Sequence, residues 1–239
     1  MRTSPRYIFF DLDNTLTRSR TPITPTMSEL LLRLAEEREV IVVSGQEYKK
    51  FKFQLGDPLR GRYVSMGQNG NMCIDKTGNL LWENKLNWLE KYEVLKYIER
   101  IHARNPFPYK NALDLVEDRD SQISYSFVGH SEQIPIKEKF DPQKTLRGAL
   151  LKKYPFKSET VDVKIAGTTC FDFFIKGYDK GKNIAELCKK FGWEKSDCLY
   201  VGDALFKNGN DEAVIGVIPT QGVRDPGETE TLVKKLLDM

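Results

Sequence analysis

No apolar run in this sequence approaches the roughly 18 residues that a helical membrane span requires. Behind Met1-Arg-Thr-Ser-Pro-Arg6 the first hydrophobic stretch already reads as a strand, so no separate signal-like segment stands there. The expectation is a cytoplasmic protein with no membrane partner. Cysteine is scarce, and Cys73, Cys170, Cys188 and Cys198 are scattered without ligand-pair spacing. That pattern argues against a disulfide scaffold or a thiolate metal site, and the four read as reduced, mostly buried apolar residues. Charge of one sign is also lacking: 37 Lys and Arg face 34 Asp and Glu, for a net +3, and the basic residues are interleaved with acids. Nucleic acid is not an expected partner, and a mild attraction for small phosphorylated metabolites is all that such a balance supports. Internal repeats, low-complexity tracts and long linkers are missing as well.

With 239 residues, 40% of them hydrophobic and 30% charged, the chain can bury a sizeable core in one large or two smaller domains. Its most informative segment is Tyr7-Ile-Phe-Phe-Asp-Leu-Asp-Asn-Thr-Leu-Thr17. An apolar strand there runs straight into Asp11 and Asp13, and open α/β sheets keep their ligand sites at such carboxyl ends. Alternation puts Leu12 on the opposite side from Asp11, while a turn from Asn14 can bring Asp13 back to the same cleft. One carboxylate can then attack while the other moves a proton. Two acids closing a surface turn are the competing reading.

Three further segments bear on that choice. Val40-Ile-Val-Val-Ser-Gly-Gln46 is a strand ending in a hydroxyl and a glycine, and Gly45 lets backbone N–H groups approach a tetrahedral oxyanion. Gly177-Tyr-Asp-Lys-Gly-Lys-Asn183 offers Lys180 as a cation at a helix start, although lysines in such runs are usually solvated. Cys198-Leu-Tyr-Val-Gly-Asp203 is another strand stopping at an acid, with Asp211 waiting beyond a loop that contains Gly209. Phosphoryl transfer asks for these types: an in-line nucleophile, a proton carrier, and cations that neutralise oxygens as charge spreads. Carboxylates about 4 Å from a phosphate repel it by roughly 4 kcal/mol per pair of charges at an intermediate dielectric, so a divalent cation is close to obligatory. Magnesium suits all-oxygen ligands and keeps waters that a phosphate oxygen can replace.

The element pattern predicts strands over about 6–12 and 39–44, and helices over about 25–38 and 46–56. Such alternation predicts a parallel sheet. A short strand over 63–66 and a hairpin over 73–82, turning at Thr77-Gly78-Asn79, come next. Residues 83–173 read differently: a helix over 88–104, strands over 112–116 and 122–128, a helix over 142–154, and strands over 161–165 and 170–175. This is an inserted α+β cap. The core pattern resumes with a helix after Lys180, strands to Asp203 and over 213–218, and a last helix over 228–237. The predicted domains are therefore a core of 1–82 with 174–239 and a cap of 83–173, whose two crossings can act as hinges that exclude water.

The four charged segments resemble, in order and approximate spacing, the motifs of the haloacid dehalogenase-like phosphotransferase superfamily, and most closely eukaryotic-type phosphomannomutases within its capped (type IIB) group. Asp11 to Thr17 with Arg20, Ser44 to Tyr48, Gln54 to Gly56, Gln68 to Gly70, Phe171-Asp172, Gly177 to Lys180, Gly202-Asp203 through Asn208 to Asp211, and Gly222 to Pro226 carry the likeness. The resemblance implies a fold: a Rossmann-like α/β core, a parallel sheet with helices on both faces, carrying the inserted α+β cap. It also assigns Asp11 as nucleophile, Asp13 as general acid/base, and Ser44 and Lys180 as phosphate holders beside Gly45 and Gln46. A magnesium shell of Asp11, Asp203 and Asp211 is implied, completed by the backbone carbonyl of Asp13. Arg20, Arg119 and Asp172 fall where the family contacts the sugar phosphate, and a homodimer through the cap is implied.

The chain departs from the family's three cap arginines. Only Arg119 is kept, His130 and Lys137 fall at the other two positions, and Cys170 replaces a small hydroxyl residue. A lysine cannot copy arginine's bidentate fork, and histidine is mostly neutral near pH 7. Each also has an ordinary reading: a local ion pair among Glu117, Asp118 and Asp120 for Arg119, a core-edge ring for His130, a surface charge for Lys137. A weaker clamp on a distal phosphate favours water as the final acceptor. The expectation is a magnesium-dependent phosphatase working through an aspartyl phosphate on a small phosphorylated metabolite, a sugar phosphate. A phosphohexomutase is the alternative, and a non-catalytic sugar-phosphate binder a third that has no need of both aspartates.

Overall fold

The computed structural model describes residues 4–207 and 209–238, so that the first three residues, Asn208 and the last residue lie outside it. The chain divides into two compact units, one running to Glu83 and resuming at Tyr178, the other Asn84–Gly177. Among the described residues, the first unit holds a seven-stranded sheet in the order β11-β10-β1-β2-β3-β4-β5. The strands β1 (Tyr7–Asp11), β2 (Glu39–Val43), β3 (Val64–Gly67), β10 (Cys198–Gly202) and β11 (Thr220–Gly222) run parallel, and β4 (Met72–Ile74) and β5 (Leu80–Glu83) close the edge as an antiparallel hairpin. The hairpin turns where the sequence predicts, because the Asp75 carboxylate accepts from the backbone N–H groups of Thr77 and Asn79.

Helices cover both faces of the sheet. Alternate residues of β1 point to opposite sides, Ile8 and Phe10 into one apolar cluster and Phe9 into another. The first cluster takes α1 (Pro25–Glu37), which Thr24 caps by accepting from the Met27 N–H and which buries Met27, Leu30, Leu31 and Leu34. It also takes Phe51 of α2 (Tyr48–Leu55) and Val233 of α7 (Pro226–Leu236). The second takes Ile184 and Leu187 of α6 (Lys180–Phe191), which Asp179 caps at one end and Gly192, at φ 66°, closes at the other. One expected strand is absent: 213–218 forms a 3-10 turn at Glu212–Val214 and a single bridge from Ile215 to Ile218, around Gly216 at φ 83°. A β-pattern of apolar residues there packs as a loop because the glycine reverses the chain.

The second unit is a four-stranded antiparallel sheet, β6-β7-β9-β8, with its own apolar cluster. Here α3 (Trp88–Arg104) matches its predicted span and starts with a capping box between Asn87 and Glu90. Strands β6 (Val116–Asp118), β7 (Gln122–Ser126), β8 (Val161–Ala166) and β9 (Cys170–Ile175) come in that order. The strand expected at 112 begins instead with a 3-10 turn, Ala112–Asp114, which Asn111 caps through its side chain. The helix expected over 142–154 is the shorter α5 (Thr145–Lys153), and a separate α4 (Ile134–Phe140) precedes it. Between them Asp141 accepts from the Leu146 and Arg147 N–H groups, while Lys144 takes φ 57°. The expected return to the core near 174 falls later, because β9 stays paired in this sheet as far as Ile175.

Arg147 is fully buried, its Nε donating to Asp141 at 2.9 Å and its Nη1 to the Ala166 carbonyl at 2.7 Å. Burial works against the Asp141 charge, yet these donors hold its carboxyl below the usual carboxylate range. A depressed pKa stabilises the fold above the unfolded value, and that contribution disappears as pH falls through the folded one. Arg147→Met, which leaves the carboxylate uncompensated, is expected to lower unfolding stability by about 3–5 kcal/mol at pH 7. Urea titrations at pH 7 and near pH 3 should show the deficit shrinking in acid as Asp141 takes up a proton.

Candidate active site

Three adjacent parallel strands deliver polar groups to one rim. Asp11 is level with Val43 on β2, so Ser44 stands one residue beyond; Phe10 is level with Val201 on β10, so Gly202 is level with Asp11 and Asp203 one beyond. Carboxylate oxygens of Asp11, Asp203 and Asp211 lie within 4.8 Å of one another. Lys180, the first residue of α6, reaches into this cluster with its ammonium 2.6 Å from Asp11 Oδ1 and 2.6 Å from Asp211 Oδ1. It donates a third bond to the Tyr200 hydroxyl at 3.2 Å, and that hydroxyl donates to Asp211 Oδ1 at 2.7 Å. All three ammonium protons are therefore directed at protein oxygens.

Electrostatics are set by this arrangement. Burial pushes Asp11 up to about 7; the nearby Lys180 opposes the shift and the Asp211 and Asp203 carboxylates add to it. Burial works against the Lys180 charge, but Asp11 and Asp211 outweigh it and hold the ammonium above the usual lysine value. Asp203 is raised by burial and by Asp211. Three acids against one cation leave an excess of negative charge, and Asp11 Oδ2 is buried with no hydrogen-bond partner. The excess of negative charge and the all-oxygen donor set of three clustered carboxylates fit a divalent cation that prefers hard oxygen ligands.

Asp13 lies outside that carboxylate cluster. Its Oδ1 accepts from the Arg20 backbone N–H at 2.8 Å and from Gln54 Nε2 at 3.2 Å, and its Oδ2 from Gln46 Nε2. Asn14 at φ 59° makes the turn that carries the side chain there. Ser44 is buried and its Oγ accepts from the Gln46 N–H at 3.2 Å. Asp13, Ser44, Gly45 and Gln46 thus form one connected patch with Gln54. Arg20 joins it through its backbone.

The remaining expected residues gather in the second unit. Arg119 donates through Nε to Glu117 at 2.9 Å, and a second bond from its Nη2 reaches the same oxygen. Burial and Glu117 act oppositely on His130, whose pKa falls below the ordinary value because burial wins; its Nε2 lies 3.1 Å from the Ser124 carbonyl. Lys137 donates to the His130 carbonyl at 2.5 Å. Asp172 accepts from Ser124 Oγ at 2.6 Å, and its carboxyl is raised by burial against the pull of Arg119.

A model of the haloacid dehalogenase-like hydrolases matches residues 8–213. The chain belongs to that family. It is 28% identical over 238 residues to a phosphomannomutase of Triticum aestivum, covering 95% of this chain and 93% of that one. It is also 28% identical over 214 residues to phosphomannomutase 2 of Dictyostelium discoideum, covering 84% and 83%. A haloacid dehalogenase-like hydrolase from Bacteroides thetaiotaomicron shares its fold with TM-score 0.63 at 16% identity, across 98% of this chain and 99% of the other. The IMP-bound IMP-nucleotidase of Plasmodium falciparum gives 0.68 at 14%, across 98% and 69%.

Two contributors lie in segments read above but draw no role from them. Tyr200 occupies an ordinary inward strand position, and only its hydroxyl, meeting Lys180 and Asp211, sets it apart from an apolar neighbour. Gln54 sits on a helix and bridges Asp13, Thr17 and Gln46. The two glycines of the rim differ in kind. A Cβ at Gly202 would overlap Asp211 Oδ2 deeply, whereas one at Gly45 would meet the Asn69 side chain at an ordinary 3.5 Å. Gly202→Ala is therefore expected to lower the thermal midpoint by several degrees, about 1–3 kcal/mol. Gly45→Ala should leave it within about 1 °C while reducing turnover; scanning calorimetry beside an activity assay checks both.

Proposed function

We propose that this enzyme is a magnesium-dependent phosphatase that hydrolyses a sugar phosphate through an aspartyl-phosphate intermediate. The carrying observation is the split environment of Asp11: one oxygen is fixed by Lys180, and the other is buried without a partner. A carboxylate fixed through one oxygen and unpartnered at the other is oriented for in-line attack. Asp11 Oδ2 forms a bond to phosphorus as the bond from phosphorus to the sugar oxygen breaks, and Asp13 gives that oxygen its proton. Asp13 then takes a proton from water, whose oxygen attacks phosphorus and releases the Asp11 carboxylate and inorganic phosphate. Gln46 and Gln54 aim the Asp13 carboxylate. Ser44 and the Gly45 and Gln46 backbone receive the phosphoryl oxygens, and Lys180 keeps Asp11 from turning. A magnesium ion on Asp11, Asp203, Asp211 and the Asp13 carbonyl would supply charge neutralisation at those oxygens.

Water as acceptor is supported by the state of the cap cations. Arg119 is paired with Glu117, His130 is held neutral by burial, and Lys137 is turned to a carbonyl. Holding a second phosphate there would require breaking these contacts. Phosphomannomutase activity is the second reading, favoured by the two relatives of that name across most of the chain. Four free cysteines support a reducing, cytoplasmic setting. The exposed Trp88, Leu89, Tyr92 and Leu95 of α3 support a homodimer through the cap unit, which light scattering after size exclusion would test.

Phosphorus NMR of the protein with magnesium and mannose 1-phosphate, with and without catalytic glucose 1,6-bisphosphate, separates the readings. Inorganic phosphate without isomer is expected; mannose 6-phosphate that depends on the bisphosphate would make the chain a mutase. Asp11→Asn should reduce turnover by more than about 10³-fold with the fold retained. Substantial residual activity in that variant would sink the covalent mechanism.

A further inference from the structure

Lys180 has three protons to place, and the Oδ1 atoms of Asp11 and Asp211 take two of them, each at 2.6 Å. The third goes to the Tyr200 hydroxyl at 3.2 Å. A hydroxyl carries one proton of its own, and this one is given to Asp211 Oδ1 at 2.7 Å, so the oxygen faces the ammonium as an acceptor. All four residues belong to the unit of the seven-stranded sheet.

The ring that carries this hydroxyl is held in place. Tyr200 is fully buried on β10, level with Phe9 of β1 and Thr220 of β11, within the apolar cluster that also holds Phe9, Ile184 and Leu187. Its Cε1 atom lies where Gly202 leaves room, since a Cβ on that glycine would stand only 2.8 Å away. A ring packed in this way presents its oxygen at a constant position. Phenylalanine would serve the packing equally well, so the hydroxyl is the part that needs a reason.

The charges nearby supply one. Asp11 Oδ2 is buried and unpartnered, and it shares a carbon with the oxygen that Lys180 already holds. An ammonium proton left unmet away from water is unfavourable, and a carboxylate oxygen is a strong acceptor for it. That same oxygen is the one assigned above to attack phosphorus. A lone pair committed to an ammonium proton is withdrawn from attack.

We propose that Tyr200 is a positioning residue that occupies the third proton of Lys180 and so keeps Asp11 Oδ2 free as the nucleophile. The assignment rests on the aspartyl-phosphate reading above. Tyr200→Phe keeps the ring and removes the acceptor. Rapid mixing with p-nitrophenyl phosphate and magnesium reads the consequence, because p-nitrophenol released in the first turnover reports attack by Asp11. That rate should fall by about 10- to 100-fold, the strength of one hydrogen bond to a charged group that attack must then break. Hydrolysis of the intermediate, in which Asp11 leaves phosphorus, needs no free Oδ2. The share of enzyme trapped as aspartyl phosphate by acid quenching should therefore fall too.

A second measurement involves no turnover. Beryllium trifluoride bonds to the same carboxylate oxygen, and fluorine NMR should show it held about 10- to 100-fold more weakly by the Phe variant. If that variant does not fold, Tyr200→3-fluorotyrosine, which keeps the hydroxyl but weakens its oxygen as an acceptor, should slow the first turnover by a smaller factor. A first-turnover rate within about twofold of wild type in the Phe variant, an unchanged rate in the fluorinated one, or undiminished trapping of aspartyl phosphate would each overturn the assignment while leaving the phosphatase chemistry standing. No release of p-nitrophenol by the wild-type enzyme would overturn both.

Discussion

The ammonium of Lys180, held 2.6 Å from each of two buried carboxylates, is the contact on which the rest of the site depends. Without it, Asp11, Asp203 and Asp211 would crowd like charges into a region closed to water, where such repulsion is least screened. With it, two strands and a helix from distant parts of the sequence are tied at one point. The glycine at 202 belongs to the same arrangement, since any side chain there would push Asp211 off the cation. So does Gly181, whose missing side chain lets α6 lie against the backbone of Ala213 and brings Lys180 to the rim.

The same contact gives the two aspartates of the first motif different surroundings. Asp11 is buried among charges, and Asp13 is held by amides and a backbone N–H. In the proposed mechanism, a single carboxylate pair separated by Leu12 thereby acquires one member for attack and another for proton transfer. Chemistry of this kind needs that asymmetry, because two acids in identical surroundings would compete for one role.

Much of this was legible in the sequence because strand ends announce themselves. Apolar runs that stop at Asp11, at Ser44 and at Gly202-Asp203 fix both the register and the rim, and the chain order makes those strands neighbours. Helices with a capping residue and a clean stripe, such as Thr24 with Met27 to Leu34, were equally readable. Where local pattern and tertiary setting part company, reading failed. Ala213 to Ile218 has strand composition, but Gly216 reverses the chain. Ile134–Phe140 has a proline and alternating charge and forms a helix nonetheless, ending at Asp141, whose carboxylate holds the first turn of the next helix through the Leu146 N–H. Tyr200 matters through a hydroxyl that only its folded neighbours, Lys180 and Asp211, make relevant.

The apolar cluster holding Phe171, Phe173 and Ile123 is separate from the two of the seven-stranded unit, and every member of it falls between Asn84 and Gly177. Stability losses from substitutions in that stretch are then borne locally and add independently to those made elsewhere. A lineage carrying this chain can therefore vary that unit while the carboxylate rim stays under separate constraint. Divergence should accumulate unevenly, faster on the polar face of the four-stranded sheet than along the rim of the seven-stranded one.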